Sequence, residues 1–219
     1  RMVGRERDCF DDFRGRLVAM RDVRALPAGD VRIATAWETA EWVGRAGADP
    51  RSSFYLIQGY ETWNCSPERL RATYELPLTR IAVSHFLKDC VRSLSENPRS
   101  EVTVIPNGCS FPVPATDLLK APRQYDVGLV YSGLPHKNGD GGLRVLEALA
   151  KAHSQLRFAV FGQERPARLP EGATFFSRPA QKQIAELYAA PRVWIVPSPQ
   201  EGFCLPALEA MRHGCAVVS

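Results

Sequence analysis

Residues Val193–Val218 read VWIVPSPQEGFCLPALEAMRHGCAVV, and the reading of this stretch decides the fold class. Val193–Val196 is a β-branched and aromatic run of buried-strand length, and Pro197-Ser198-Pro199 breaks it. Pro206–Arg212 has helical composition with proline in its first turn, and Gly214 stands where a helix closes in the left-handed conformation. Ala216–Val218 then opens a further strand. Strand, loop, helix and strand in that order make one unit of a parallel sheet.

The same alternation runs upstream. Strands are expected at Val127–Tyr131, Phe158–Phe161 and Thr174–Phe176, with a loop over Ser132–Gly141. A helix from about Gly142 to Ala152 would bury Leu143, Leu146, Leu149 and Ala150, and another over Ala180–Ala189 would turn Ile184, Leu187 and Tyr188 inward. In the first half the expected strands are Val31–Thr35, Phe54–Gln58, Ile81–Ser84 and Val102–Ile105. Between them lie the helices Ala36–Arg45, with Trp37, Ala40 and Glu41–Val43 as its buried stripe, and Pro67–Tyr74, capped by Ser66. Residues 1–30 carry only weak helical periodicity. Pro106-Asn107-Gly108 ends this half, and the run to Arg123 holds Pro112, Pro114 and Pro122, as an interdomain connection would. The fold class is α/β: two Rossmann-like domains, 1–106 and 125–219, joined by a linker over 107–124.

With 219 residues, 45% of them apolar and 24% charged, the chain has the material for one large or two modest cores. No stretch approaches the roughly 18 uninterrupted apolar residues of a spanning helix, and the first thirty residues lack the apolar centre of a secretory signal. The expected location is therefore cytoplasmic. The net charge of +4 is dispersed, which points away from a nucleic-acid partner. Six cysteines (Cys9, Cys65, Cys90, Cys109, Cys204, Cys215) have neither C-x-x-C spacing nor a histidine at ligand spacing, so they are expected to be free and mostly buried. The chain starts at Arg1 and stops directly after the run Ala216–Val218, and both ends read as cut.

The loop after Val193–Val196 carries the strongest chemical signal. In an open α/β sheet, ligands sit beyond the carboxyl ends of the strands. Gly202 allows close backbone approach, and the unpaired N–H groups near residues 203–207, with the helix dipole behind them, suit a phosphate or diphosphate. Glu201 on the loop and Glu209, on the exposed side of the helix start, would offer acceptors to sugar hydroxyls. On spacing alone a plainer reading competes, with Glu209 a solvated helix residue and Glu201 a capping carboxylate.

Glu201 to Glu209, with Pro-Ser, Gly-Phe, Leu-Pro, Glu-Ala-Met and His-Gly-Cys-Ala-Val-Val around them, resembles the E-x7-E donor loop of retaining GT-B glycosyltransferases, family 4-like, which include bacterial rhamnosyl- and mannosyltransferases. The resemblance implies that Glu201 touches the donor sugar and that the amides of Gly202, Phe203, Cys204 and Leu205 hold sugar and diphosphate. It gives Glu209 the ribose. Cys204 stands where relatives usually carry glycine. Tyr131–Gly139 resembles the family's G-x-x-x-K-G segment, so Gly133 would lie at the donor and Lys137 would neutralise charge developing on the diphosphate. Many relatives place arginine where this chain has Leu134, which shifts weight to Lys137 or His136. Arg178 falls where relatives approach the nucleobase. On the acceptor side, relatives often place a histidine where this chain has Gln58, followed by Glu61.

The implied enzyme moves a hexose from a nucleoside diphosphate sugar to an acceptor hydroxyl with retention of configuration. It needs no cofactor and no essential metal. Its partners are the nucleotide sugar and a glycan, lipid-linked or small-molecule acceptor, and peripheral contact at the inner face of a membrane is compatible with the resemblance. Two other readings stay open: a noncatalytic sugar-nucleotide-binding remnant, and a glycoside hydrolase using Glu201 and Glu209 as its two carboxylates.

Overall fold

A computed structural model of the chain describes residues 22, 26, 29–95, 101–109, 111 and 122–219. The first thirty residues, left unassigned above, fall almost wholly outside that set. Residues 1–106 and 107–219 form two separate compact units.

The first unit alternates strands with helices: β1 (Arg32–Ala34), α1 (Trp37–Arg45), β2 (Ser53–Ile57), α2 (Pro67–Tyr74), β3 (Thr79–Ala82), α3 (His85–Leu94) and β4 (Val102–Val104). Its four strands are parallel and lie in chain order. Along β2, Ser53, Tyr55 and Ile57 are buried and the residues between them are half-buried, the period-two signature of a sheet whose faces differ in cover. Trp37, Ala40 and Val43 of α1 are buried, whereas Glu41 and Trp42, assigned to the same stripe, are half-buried. Helix α2 starts where the sequence says it should, because the Ser66 hydroxyl accepts the Arg69 amide at 3.3 Å and Pro67 occupies the first turn.

Helix α3 was not expected. The reading above extended a strand through Ser84, but Ser84 is the N-cap, its hydroxyl accepting the Leu87 amide at 3.2 Å. Leu87 and Val91, one turn apart, are its buried face.

The second unit runs β5 (Tyr125–Tyr131), α4 (Gly139–Ala152), β6 (Phe158–Gly162), β7 (Ala173–Ser177), α5 (Gln181–Ala189), β8 (Pro191–Ile195), α6 (Leu205–Arg212) and β9 (Ala216–Val218). All five strands are parallel, in the order β7-β6-β5-β8-β9. From β5 the chain steps outward through β6 to β7, then returns to lay β8 on the other side of β5. The order therefore reverses between β5 and β8, and this is the point where open α/β sheets leave a crevice.

Packing fixes that centre. Gly128 pairs with Trp194 across β5 and β8, and a Cβ at Gly128 would fall 2.1 Å from the indole ring, so the glycine is the space Trp194 occupies. Trp194, Tyr188 and Phe161 form one cluster, while Leu129, Leu146, Phe158 and Val160 form another. Helix α6 ends in the arrangement its Gly214 announced. The Gly214 amide donates to Met211 at 3.0 Å, the Cys215 amide to Ala210 at 3.0 Å, and Gly214 has φ +78.

Of the five described cysteines, all free, only Cys215 is fully buried and the others are half-buried, which corrects the expectation that most are buried. Cys9 lies outside the described residues. No helix among the described residues is long and apolar enough to cross a membrane.

Candidate functional site

The loops that follow β5 and β8 meet at the crevice. After β5 the chain makes a short 3-10 turn, Pro135–Lys137, and reaches α4 through Asn138, which adopts the left-handed conformation (φ 50). This is the last position of the G-x-x-x-K-G spacing counted from Gly133, and asparagine is the non-glycine residue that best tolerates it. Gly139 and Gly142 then let the start of α4 pack closely on β5 and the residue that follows it. A Cβ at Gly139 would lie 2.3 Å from the Ser132 carbonyl oxygen, and one at Gly142 would lie 2.8 Å from Leu129. That close approach outweighs the poor helix propensity of glycine, and α4 therefore begins at Gly139 rather than at Gly142 as expected.

Lys137 and Glu201, assigned together from two separate motifs, are in direct contact. The Lys137 ammonium donates to both Glu201 carboxylate oxygens, at 2.8 and 2.9 Å. Two further bonds lock the loops: the Asn138 side-chain amide donates to the Pro197 carbonyl at 3.0 Å, and the Ser198 hydroxyl to the Lys137 carbonyl at 3.5 Å. At Gly133 an added Cβ would meet no atom within 4 Å, so this glycine borders open space.

Helix α6 starts at the same crevice. Its N-cap, Cys204, has φ 66 and ψ 67, a left-handed conformation that explains why glycine suits this position. The amides of Gly202, Phe203, Cys204 and Leu205 have no acceptor among the described residues. Together with the helix dipole they present a positive edge. Cys204 lies among the charged groups of the site. Burial pushes its thiol up, the Glu201 and Glu209 carboxylates act in the same direction, and the Lys137 ammonium opposes them.

Glu209 departs from the sequence reading. It is half-buried rather than on the exposed side of the helix. Burial raises its pKa, while the nearby Tyr188 hydroxyl and His213 pull it down. Arg178, exposed at the end of β7, also has a left-handed backbone (φ 46), and its Nε donates to the Gln163 carbonyl at 3.2 Å. None of its hydrogen bonds joins it to the Lys137–Glu201 pair.

The two acceptor-side candidates belong to the first unit. One oxygen of Glu61 accepts the Trp37 amide at 2.9 Å and the Tyr55 hydroxyl at 3.3 Å, so this carboxylate holds the start of α1, and burial raises its pKa. Gln58 stays exposed, its amide donating to the Thr35 carbonyl at 3.3 Å.

Two contributors escaped the sequence reading. Asn138 carried a signal in the Asn-Gly pair, a turn dipeptide. Arg123 carried none: it donates to the Ala189 carbonyl and to the His213 carbonyl at 3.0 Å, tying the ends of α5 and α6 together. No group of three or more His, Cys, Asp or Glu among the described residues is placed to hold a metal ion.

Residues 126–219 match the family model described as glycosyl transferases group 1. No curated protein matches the chain. Among solved structures the chain is similar to TarM, with a TM-score of 0.68 at 12% identity over 85% of this chain and 40% of that one. It is also similar to sucrose-phosphate synthase from Thermosynechococcus elongatus (TM-score 0.64, 19% identity, 86% of this chain and 55% of that one). A third, WaaG, is a glycosyltransferase involved in lipopolysaccharide biosynthesis (TM-score 0.57, 17% identity, 82% of this chain and 62% of that one). The chain thus spans between 40% and 62% of the length of these structures. Its fold is that of the GT-B glycosyltransferases, and its second unit carries their group 1 sequence pattern.

Proposed function

We propose that the chain supplies the donor-binding half of a glycosyltransferase that moves a hexose from a nucleoside diphosphate sugar to an acceptor hydroxyl with retention of configuration. The observation that carries this reading is the meeting of Lys137, Glu201 and the free amides of Gly202–Leu205 at the crevice between β5 and β8. An ammonium and a helix N-terminus converging on one point suit a diphosphate, and a carboxylate beside them suits the hydroxyls of the attached sugar. Two similar structures agree in ligand class: the pneumococcal O-GlcNAc transferase GtfA was solved with UDP and GlcNAc, and an S. aureus TarM mutant with UDP.

In the proposed reaction the bond between the anomeric carbon and the diphosphate oxygen breaks as the acceptor oxygen bonds to that carbon. The acceptor proton passes to the leaving diphosphate. Lys137 and the α6 amides gain most from the charge that develops there, which is the requirement for catalysis rather than mere binding. Glu201 orients the sugar and Glu209 accepts from the ribose. Arg178 borders the base, and Gln58 is assigned to the acceptor side. In this reading the protein's own positive groups compensate the diphosphate and a metal is not required.

The test is a thermal-shift screen against UDP-, GDP- and dTDP-sugars, followed by a transfer assay. A bound donor at about 100 times its Kd stabilises the native state by about 2.7 kcal/mol. Failure of every nucleoside diphosphate sugar to raise the melting temperature would refute the proposal. Donor binding without transfer would favour the noncatalytic reading.

A further inference from the structure

We propose that Asn138 is a positioning residue for Lys137, and that with Ser198 it forms a clasp that keeps the two loops of the crevice in register while Lys137 exchanges Glu201 for a diphosphate. The inference rests on the donor-binding reading above.

An asparagine directly before a helix ordinarily caps it, its side-chain oxygen accepting an amide of the first turn. Asn138 precedes α4 and makes no such bond to the amides of its own helix. Its side-chain amide donates instead to the Pro197 carbonyl at 3.0 Å, 59 residues away in the chain. A carbonyl only accepts, so the amide nitrogen is the group that faces it and the orientation of the side chain is fixed. Gly141 makes room for this arrangement, because a Cβ there would lie 2.3 Å from Asn138 Oδ1 and 2.5 Å from Nδ2. The Ser198 hydroxyl returns the contact, donating to the Lys137 carbonyl at 3.5 Å. Residue 138 thus reaches the carbonyl of 197 while residue 198 reaches the carbonyl of 137, and the two loops are tied in both directions.

Lys137 stands at the centre of this clasp. Its amide donates to the Leu134 carbonyl at 2.9 Å, the Asn138 amide donates to the Pro135 carbonyl at 3.1 Å, and the Asn138 carbonyl accepts the Gly142 amide at 3.1 Å. The Lys137 backbone is therefore held from both sides, while its side chain, 38% exposed, extends to Glu201. The ion pair cannot hold the loops together during binding, since it is the contact that a diphosphate displaces. The clasp uses neither charged side chain and so outlasts the pair. Without it, the Lys137 loop would lose conformational freedom at the moment the ligand binds, a cost that the clasp meets in advance.

The experiment is calorimetric titration of the whole chain with UDP and with GDP. Asn138→Gly keeps the left-handed backbone accessible and removes only the side-chain amide, and it is expected to weaken both ligands by about fivefold. Ser198→Ala, which removes the longer bond, should lose less. Gly141→Ala separates positioning from folding: alanine favours the helix over glycine, so the melting temperature should not fall, yet its Cβ displaces the Asn138 amide and affinity should drop as in Asn138→Gly. In a Lys137→Ala background neither Asn138→Gly nor Gly141→Ala should cost anything further. A loss that persists in that background would show that Asn138 does not act through Lys137, and unchanged affinity in both variants would show that the clasp does not serve binding; either result overturns this inference alone. Absence of binding by both nucleotides to the unsubstituted chain would overturn the donor-binding reading and this inference together.

Discussion

Replacing Glu201 with glutamine should tighten the binding of a free nucleoside diphosphate, although Glu201 belongs to the site. The Lys137 ammonium spends its charge on both Glu201 oxygens, at 2.8 and 2.9 Å, so a diphosphate that uses Lys137 must compete with a carboxylate and also sit beside its negative charge. Coulomb's law at an effective dielectric of about 20 would value such a contact at several kcal/mol. The Lys137 side chain is 38% exposed and that of Glu201 20%, so solvent screening reduces the interaction to about 1 kcal/mol. Its removal is worth a gain of about fivefold in affinity for UDP or GDP. The gain should shrink as ionic strength rises. For the sugar nucleotide the same substitution weakens the acceptor that faces the sugar hydroxyls, so the preference for sugar nucleotide over free nucleotide should fall. Calorimetric titration of both ligand types at two salt concentrations reads all three effects. If Glu201→Gln binds the free diphosphate no better than the unsubstituted chain, Lys137 is not shared between the two anions and the argument fails.

Lys137→Ala should lower turnover more than donor affinity, because the charge on the diphosphate is larger in the transition state, and Lys137→Arg should restore part of it; steady-state kinetics separating kcat from KM decides this. Arg123→Ala removes charged hydrogen bonds to helix-end carbonyls and should destabilise the second unit by about 2 kcal/mol, seen in denaturant unfolding as a lower midpoint. The folded-state pKa of Glu209 lies above its unfolded value of about 4.3, so its effect on stability is most favourable below that pH and declines as pH rises toward the folded value. Glu209→Gln should therefore gain stability relative to the unsubstituted chain above that range and not below it, as melting curves across pH would show.

The α/β class and the strand-and-helix alternation were legible, because each has a local signature, periodicity or a cap, whereas the ion pair between Lys137 and Glu201 was not, each residue having been placed from its own loop. Helix α2 was read to the residue from Ser66-Pro67. Helix α3 was missed although Ser84 could serve as its cap, since the preceding β-branched run invites a longer strand. The start of α4 was placed late because a row of glycines argues against a helix until the sheet beneath it is known. The partners of Arg123 were not legible at all. Arg123 is 90 residues from His213, so only the packing of α5 beside α6 brings its acceptors together.

The placement of β8 beside β5 has a consequence for how such a chain can diverge. Lys137 and Glu201 are 64 residues apart in sequence, yet their loops rise from neighbouring strands, so everything from β6 to α5 is an excursion that leaves the crevice and returns to it. Insertions, deletions or exchanges in the surface segments of that excursion, such as residues 163–172 between β6 and β7, need not disturb the spacing of the two charged side chains. A chimera that borrows residues 163–172 from a relative should therefore keep the pairing of Lys137 with Glu201.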